Sequence, residues 1–315
     1  MIYENRYEEK LKGSIHPMNA NPDFEDFWRS GVEVLRRKKL TVSREKLDLP
    51  YDASFTTWEV KYNTHDETVV HAYFSVPNDG KKKHPCAVIY HGGSGKKEIH
   101  FDLIASGIAC FAMDVRSQGG TTVDKASYSS GDKMGGIMTR GLLDKNEFYM
   151  RNIYLDAVRA IDTVATFDEV DKDNIYTFGG SQGGALSITA SALSGKVKKC
   201  YSVVTSYCCI DRRVEDGTGV FEDTHAFLRT YPQYTDAVLD TLSYFDVNNM
   251  ASLLKIPTSF CIALADKICF PEYVYSAYAH ADTEKELYMV PFAPHCVPTD
   301  YKLKVCREIS KSVGK

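Results

Sequence analysis

The segment Gly179-Gly180-Ser181-Gln182-Gly183 constrains this chain more than any other. It follows an apolar run, IYTF, that reads as a buried strand, and it precedes ALSITASAL, which reads as a helix. A chain that passes from strand to helix in so few residues makes a strained turn. Only small neighbours let such a turn close, and a serine at its tip is exposed at the end of the sheet. The helix N-terminus behind it favours negative charge at that point. The competing explanation is a glycine-rich turn that contains an incidental serine.

The surrounding pattern agrees with a strand-turn-helix fold. Residues 56–76 read as two antiparallel strands, TTWEVKYNT and TVVHAYFSV. After them, short apolar strands alternate with helices. The strands are CAVIYHGG, IACFAMDV, NIYTFGG, KCYSVVTSY, TSFCIALAD and ELYMVPF, and the helix NIYLDAVRAIDTVATF precedes the third. Such alternation implies βαβ units and a mostly parallel sheet with helices on both faces. Within one α/β domain over 1–315, residues 1–50 read as a wrapping arm. In it, Asn21-Pro22 starts a helix carrying Phe24, Phe27, Trp28 and Val32 on one face. Residues 210–250 hold no apolar strand and read as an insertion over the strand ends.

Composition excludes several classes. The formal net charge of -4 comes from well-mixed signs, so no basic stripe points to nucleic acid; Lys81-Lys82-Lys83 reads as a solvated loop. No apolar run approaches the ~18 residues of a membrane span. MIYENRYEEK is charged and lacks the apolar core of a signal peptide. Nine cysteines, an odd number with no C-x-x-C pair, include Cys86, Cys110 and Cys261 inside apolar runs. The expectation is a reducing cytoplasm, and a chain of 315 residues can bury enough core to fold without a metal.

A serine hydroxyl needs a base, and in α/β-hydrolases the chain order is Ser, acid, His. Two late histidines qualify. His280 falls in a helical stretch, whereas His295 follows the last strand in a loop held by Pro291, Pro294 and Pro298. His295 is the better base, because a rigid loop holds one orientation. Asp266, at the end of TSFCIALA, is the preferred acid; Asp246 and Asp282 are weaker alternatives. Its task would be to fix the tautomer of His295. The oxyanion hole needs two backbone N–H groups: one from Gln182, after the nucleophile, and one from Gly93 in the loop His91-Gly92-Gly93-Ser94-Gly95.

These residues belong to a wider likeness. PDFEDFW, DVRSQGG, the block LLDKNEFYMRNIYLDAVRAID through FDEVDKDNIYTFGGSQGGALS, TLSYFDVNNMA and ALADKICFP resemble segments of the acetylxylan esterase/cephalosporin C deacetylase family, carbohydrate esterase family seven. The likeness runs from about residue 20 to the C-terminus. It implies an α/β-hydrolase fold and a Ser181–Asp266–His295 triad, with Arg116 and Gln118 supporting the site. It implies removal of acetyl groups from xylo-oligosaccharides or related small esters, without a cofactor. It also implies a hexamer whose sites face an internal cavity.

The chain departs from the family where His91-Gly92-Gly93 replaces H-G-Tyr, where Ser117 replaces the glycine of R-G-Q, where Cys296 follows His295, and where Val220 replaces a proline. Gly93 removes a wall of the acyl pocket, unless Val220 or Phe221 from the insertion fills the gap. Two other readings stand beside this one. One is a carboxylesterase or another α/β-hydrolase of different substrate; the other is a binding paralogue without catalysis.

Overall fold

The computed structural model describes residues 2–50, 53–131 and 136–311. Nine strands form one sheet: β1 (Val42–Lys46), β2 (Phe55–Asn63), β3 (Val69–Pro77), β4 (His84–Tyr90), β5 (Ala109–Met113), β6 (Val170–Gly180), β7 (Lys199–Val203), β8 (Thr258–Ala263) and β9 (Lys285–Val290). Their order across the sheet is β1-β2-β3-β5-β4-β6-β7-β8-β9. The first three pair antiparallel, β3 pairs antiparallel with β5, and every later pairing is parallel. This is the α/β-hydrolase fold.

Burial explains the two halves. β2 is half-exposed and alternates, whereas all seven residues of β4 are buried. A strand covered on both faces reads as a continuous apolar run. Successive side chains of β4 point to opposite faces. Cys86, Val88 and Tyr90 join a core beneath helices Phe24–Arg37, Tyr149–Val164 and Gln182–Ser194. Ala87 and Ile89 join a second core beneath helices Phe101–Ala105 and Thr299–Lys311.

The arm departs from expectation in two places. It contributes β1, a mostly exposed edge strand, VSREK, that carries little apolar patterning. Its helix begins at Phe24, one turn later than Asn21-Pro22 suggests. Asn21 is drawn elsewhere: its side-chain amide donates to Asp240 (2.9 Å) and to Ser243 (3.0 Å). Asp23 sits at the cap position without a capping bond and instead accepts from Lys145 and the Tyr244 hydroxyl. Tertiary partners thus outcompete the local cap. Trp28 anchors the helix, fully buried with its indole N–H on the Tyr244 carbonyl at 2.9 Å.

Residues 210–250 form four short helices, Ile210–Asp216, Glu222–Thr230, Thr235–Ser243 and Val247–Ala251, between β7 and β8. Among the described residues, no helix is long and apolar enough to cross a membrane.

Candidate active site

β6 ends at Gly180, and the helix that follows begins at Gln182, so Ser181 alone makes the turn. Its backbone has φ 58 and ψ -123, a region that side chains rarely occupy. The glycines are steric necessities. A Cβ on Gly183 would lie 1.9 Å from the Tyr90 carbonyl oxygen, and one on Gly179 would lie 2.4 Å from the Gly183 carbonyl. The strained turn is held by the Ser181 N–H donating to the Val203 carbonyl (2.9 Å), while its own carbonyl accepts from Ser206 (3.0 Å).

Ser181 and His295 line the same cavity of about 310 Å³, at the carboxyl ends of β4 and β6. His295 Nδ1 and Asp266 Oδ2 are 2.8 Å apart. Asp266 is buried, and its other oxygen accepts from the backbone N–H groups of Ile268 (2.8 Å) and Cys269 (3.0 Å). The carboxylate is therefore fixed. With Nδ1 donating to it, Nε2 is left as the basic nitrogen. Among the described residues, no hydrogen bond joins the Ser181 hydroxyl to the ring; in unliganded sites such contacts are often long.

The alternatives from sequence lie elsewhere. Asp246 caps the helix Val247–Ala251 and accepts from the N–H groups of Cys209, Ile210 and Asn248. Burial pushes its carboxyl up to about 6, against those backbone bonds. Its partners are thus structural. His280 makes its contact with the His16 carbonyl at 2.7 Å.

The two N–H groups proposed for an oxyanion hole, those of Gly93 and Gln182, make no hydrogen bond among the described residues. The loop carrying Gly93 is held by His91. The Val115 N–H donates to His91 Nε2 (2.9 Å), so the ring proton sits on Nδ1 and is donated to the Gly92 carbonyl (2.7 Å).

Arg116 and Gln118 are placed behind the site. Arg116 is fully buried and bonds Asp156 through two nitrogens at 2.7 Å, with Asp66 and Asp124 on a third nitrogen at 2.6 and 3.0 Å. Burial opposes its charge, but these carboxylates outweigh it and hold the guanidinium above its ordinary pKa. Gln118 and Gln182 exchange amide hydrogen bonds of 2.8 and 3.0 Å. Gln118 also accepts from the Ser94 N–H (3.0 Å), and the Tyr207 hydroxyl donates to Gln182 (2.7 Å). One amide thus ties together both loops that carry the free N–H groups. Ser117, between Arg116 and Gln118, has φ 55, the conformation that favours the family's glycine.

None of the three acyl-pocket candidates lines the Ser181 cavity. Gly93 is exposed, and a Cβ there would meet no atom within 4 Å, so the space beside it is open. Neither Val220 nor Phe221 lines the Ser181 cavity: Val220 is exposed, and Phe221 is buried edge-on against Tyr207. The alternative in which Val220 or Phe221 fills the gap left by Gly93 is not met in this cavity, because the insertion folds into helices packed on one another and contributes no residue to it. Sequence reasoning missed Lys96, Glu98 and His100, which do line it. Their alternation after the glycine loop was the available signal.

Among the described residues, one group offers three metal-ligating atoms: Asp266, Cys269 and His295, all within 4.8 Å of one another. All nine cysteines are free thiols, and Cys296 alone is exposed.

The model of the acetyl xylan esterase family matches residues 9–308. An acetyl esterase of Xylanibacter ruminicola, Axe7A, is 26% identical over 290 residues, covering 89% of this chain. The chain spans only 65% of that relative's length. Two solved structures are alike throughout. The acetyl xylan esterase from Paenibacillus sp. R4 has 32% identity and a TM-score of 0.90, over 96% of this chain and 98% of that one. Acetyl xylan esterase 1 from Thermoanaerobacterium sp. has 24% identity and a TM-score of 0.88, with the same coverage.

The Asp266 carboxylate and the Cys269 thiol raise the His295 imidazole above its ordinary value of 6.5, against the opposing effect of burial. Removing the carboxylate removes the larger cause, so the ring should lose its proton at lower pH. An NMR titration of His295 is expected to show a midpoint above 6.5 in the wild type and a lower one in Asp266→Asn. Asp246→Asn should leave it in place; a shift in that variant instead would transfer the acid's role.

Proposed function

This chain belongs to the acetyl xylan esterase family, and on that premise we propose that it hydrolyses small esters, removing acetyl or other short acyl groups from acetylated sugars through an acyl-enzyme on Ser181. The observation that carries this reading is the shared cavity of Ser181 and His295, with His295 bonded to the buried Asp266. His295 Nε2 takes the proton from the Ser181 hydroxyl as its oxygen attacks the ester carbonyl carbon. Asp266 stabilises the imidazolium that results. The carbonyl oxygen gains negative charge and receives hydrogen bonds from the N–H groups of Gly93 and Gln182. His295 then returns the proton to the departing alcohol, and a water deprotonated by the same nitrogen releases the acyl group. Arg116 and Gln118 hold the loops and do not touch the substrate. The reaction uses no cofactor. Nine free thiols suit a reducing compartment such as the cytoplasm.

Ser181→Ala and His295→Ala should each lower ester hydrolysis by several orders of magnitude, because a triad acts as a unit. For the same reason the double variant should be little worse than either single one. Retained activity in Ser181→Ala would remove Ser181 as the nucleophile, whereas a wild type that neither hydrolyses esters nor is labelled at Ser181 by a fluorophosphonate would favour the binding paralogue.

Acyl length follows from the open space at Gly93. Each methylene that reaches an apolar site contributes up to about 0.8 kcal/mol, while a hydrophobic pocket usually discriminates by only about 1–3 kcal/mol per group. Propionyl and butyryl esters are therefore expected to react at rates comparable to acetyl. A preference for 4-nitrophenyl acetate over the butyrate above roughly 100-fold in kcat/KM, about 2.7 kcal/mol, would mean that the pocket is closed.

The hexamer implied by resemblance is also part of this proposal. Light scattering should give a mass near six times 35.4 kDa; a monodisperse monomer would remove that part.

A further inference from the structure

The cavity above Ser181 has two chemically different sides. Ile89, Phe178, Val204 and Val297 form an apolar one. Lys96, Glu98 and His100 form the other. All three come from one irregular stretch after the glycine loop, where Lys96 and Glu98 also border a neighbouring groove. The residues between them do not line the Ser181 cavity. Lys97 is buried, donates to the Thr121 hydroxyl at 2.6 Å and lies 3.5 Å from Glu59, while Ile99 packs against the second core.

Lys97 and Ile99 are tied into the fold, whereas Lys96 and Glu98 are exposed and His100 is half-buried. Among the described residues, the side chains of Lys96, Glu98 and His100 make no hydrogen bond or ion pair. Burial and the nearby Lys302 push the His100 ring down to about 4, against Asp102, so it is neutral at ordinary pH. A neutral imidazole offers one donor and one acceptor, which matches an alcohol hydroxyl; an acidic and a basic side chain beside it supply a further acceptor and donor. One residue of each sign leaves the wall without a net preference for a charged ligand.

An ester bound for attack sends its acyl and alcohol halves in different directions from the carbonyl carbon. The apolar side suits the acyl methyl. Building on the esterase reading above, we propose that Lys96, Glu98 and His100 form the subsite for the alcohol half, holding the hydroxyls of a neutral, sugar-like polyol. They are specificity-determining residues and take no part in proton transfer.

The test compares kcat/KM for a monoacetylated methyl xyloside with kcat/KM for 4-nitrophenyl acetate, whose leaving group carries no further hydroxyl. Loss of one good hydrogen bond is worth about a five- to tenfold change. Glu98→Ala and His100→Ala should each lower the xyloside-to-nitrophenyl ratio by about that factor. His100→Gln, which keeps a donor and an acceptor, should restore most of it. Binding of xylobiose to Ser181→Ala by calorimetry should weaken at least about tenfold when Glu98→Ala and His100→Ala are added. An unchanged ratio in both alanine variants, or equal xylobiose binding with and without the wall, would overturn the proposal. If the wild type cleaves neither ester, the esterase reading fails, and the xylobiose comparison still judges the wall.

Discussion

Two stretches of backbone cross beside Ser181 more closely than any side chain permits. The Tyr90 carbonyl at the end of β4 lies where a Cβ of Gly183 would be, and Gly179 faces the Gly183 carbonyl at a similar separation. Because β4 and β6 are adjacent parallel strands, this crossing brings the glycine loop after β4 up against the turn after β6. The free N–H groups of Gly93 and Gln182 belong to those two segments. The strain stored at Ser181 is supported by the sheet around it, since β7 supplies the carbonyl that receives its N–H.

A polar network keeps these loops from drifting. Arg116 is a guanidinium with no exposure, and an unpaired charge there would be costly. Its carboxylate partners come from Asp66, Asp124 and Asp156, which lie in two loops and in the helix Tyr149–Val164. Fixing Arg116 fixes Gln118 two residues on, and Gln118 bonds both Gln182 and the Ser94 N–H. The positioning of the site thus rests on charges buried behind it as much as on the three residues in front.

Much of this was legible in the sequence, for identifiable reasons. β4, β5 and β8 are buried on both faces, so each appears as an unbroken apolar run. The elbow was legible because its glycines answer a steric demand that no other residue meets. β1 was not, because VSREK is an edge strand whose side chains are nearly all solvated. The helix start at Asn21 was misplaced because the partners that claim its side chain, Asp240 and Ser243, are more than two hundred residues away. Val220 and Phe221 were set beside the acyl pocket by analogy of position, and the packing of the insertion put them elsewhere.

The sequence by itself determined the fold class, the turn at Ser181, and the order in which serine, acid and histidine candidates occur. Periodicity, glycine sterics and chain order are local properties that one chain displays unaided. Only the tertiary structure decided between Asp266 and Asp246 as the partner of His295. Both are buried aspartates, and they differ in what surrounds them: one faces an imidazole, the other three backbone N–H groups. It alone also gathered Lys96, Glu98 and His100 into the wall of the Ser181 cavity. A side chain's partners depend on which distant segments the sheet brings alongside it, and no local pattern carries that information.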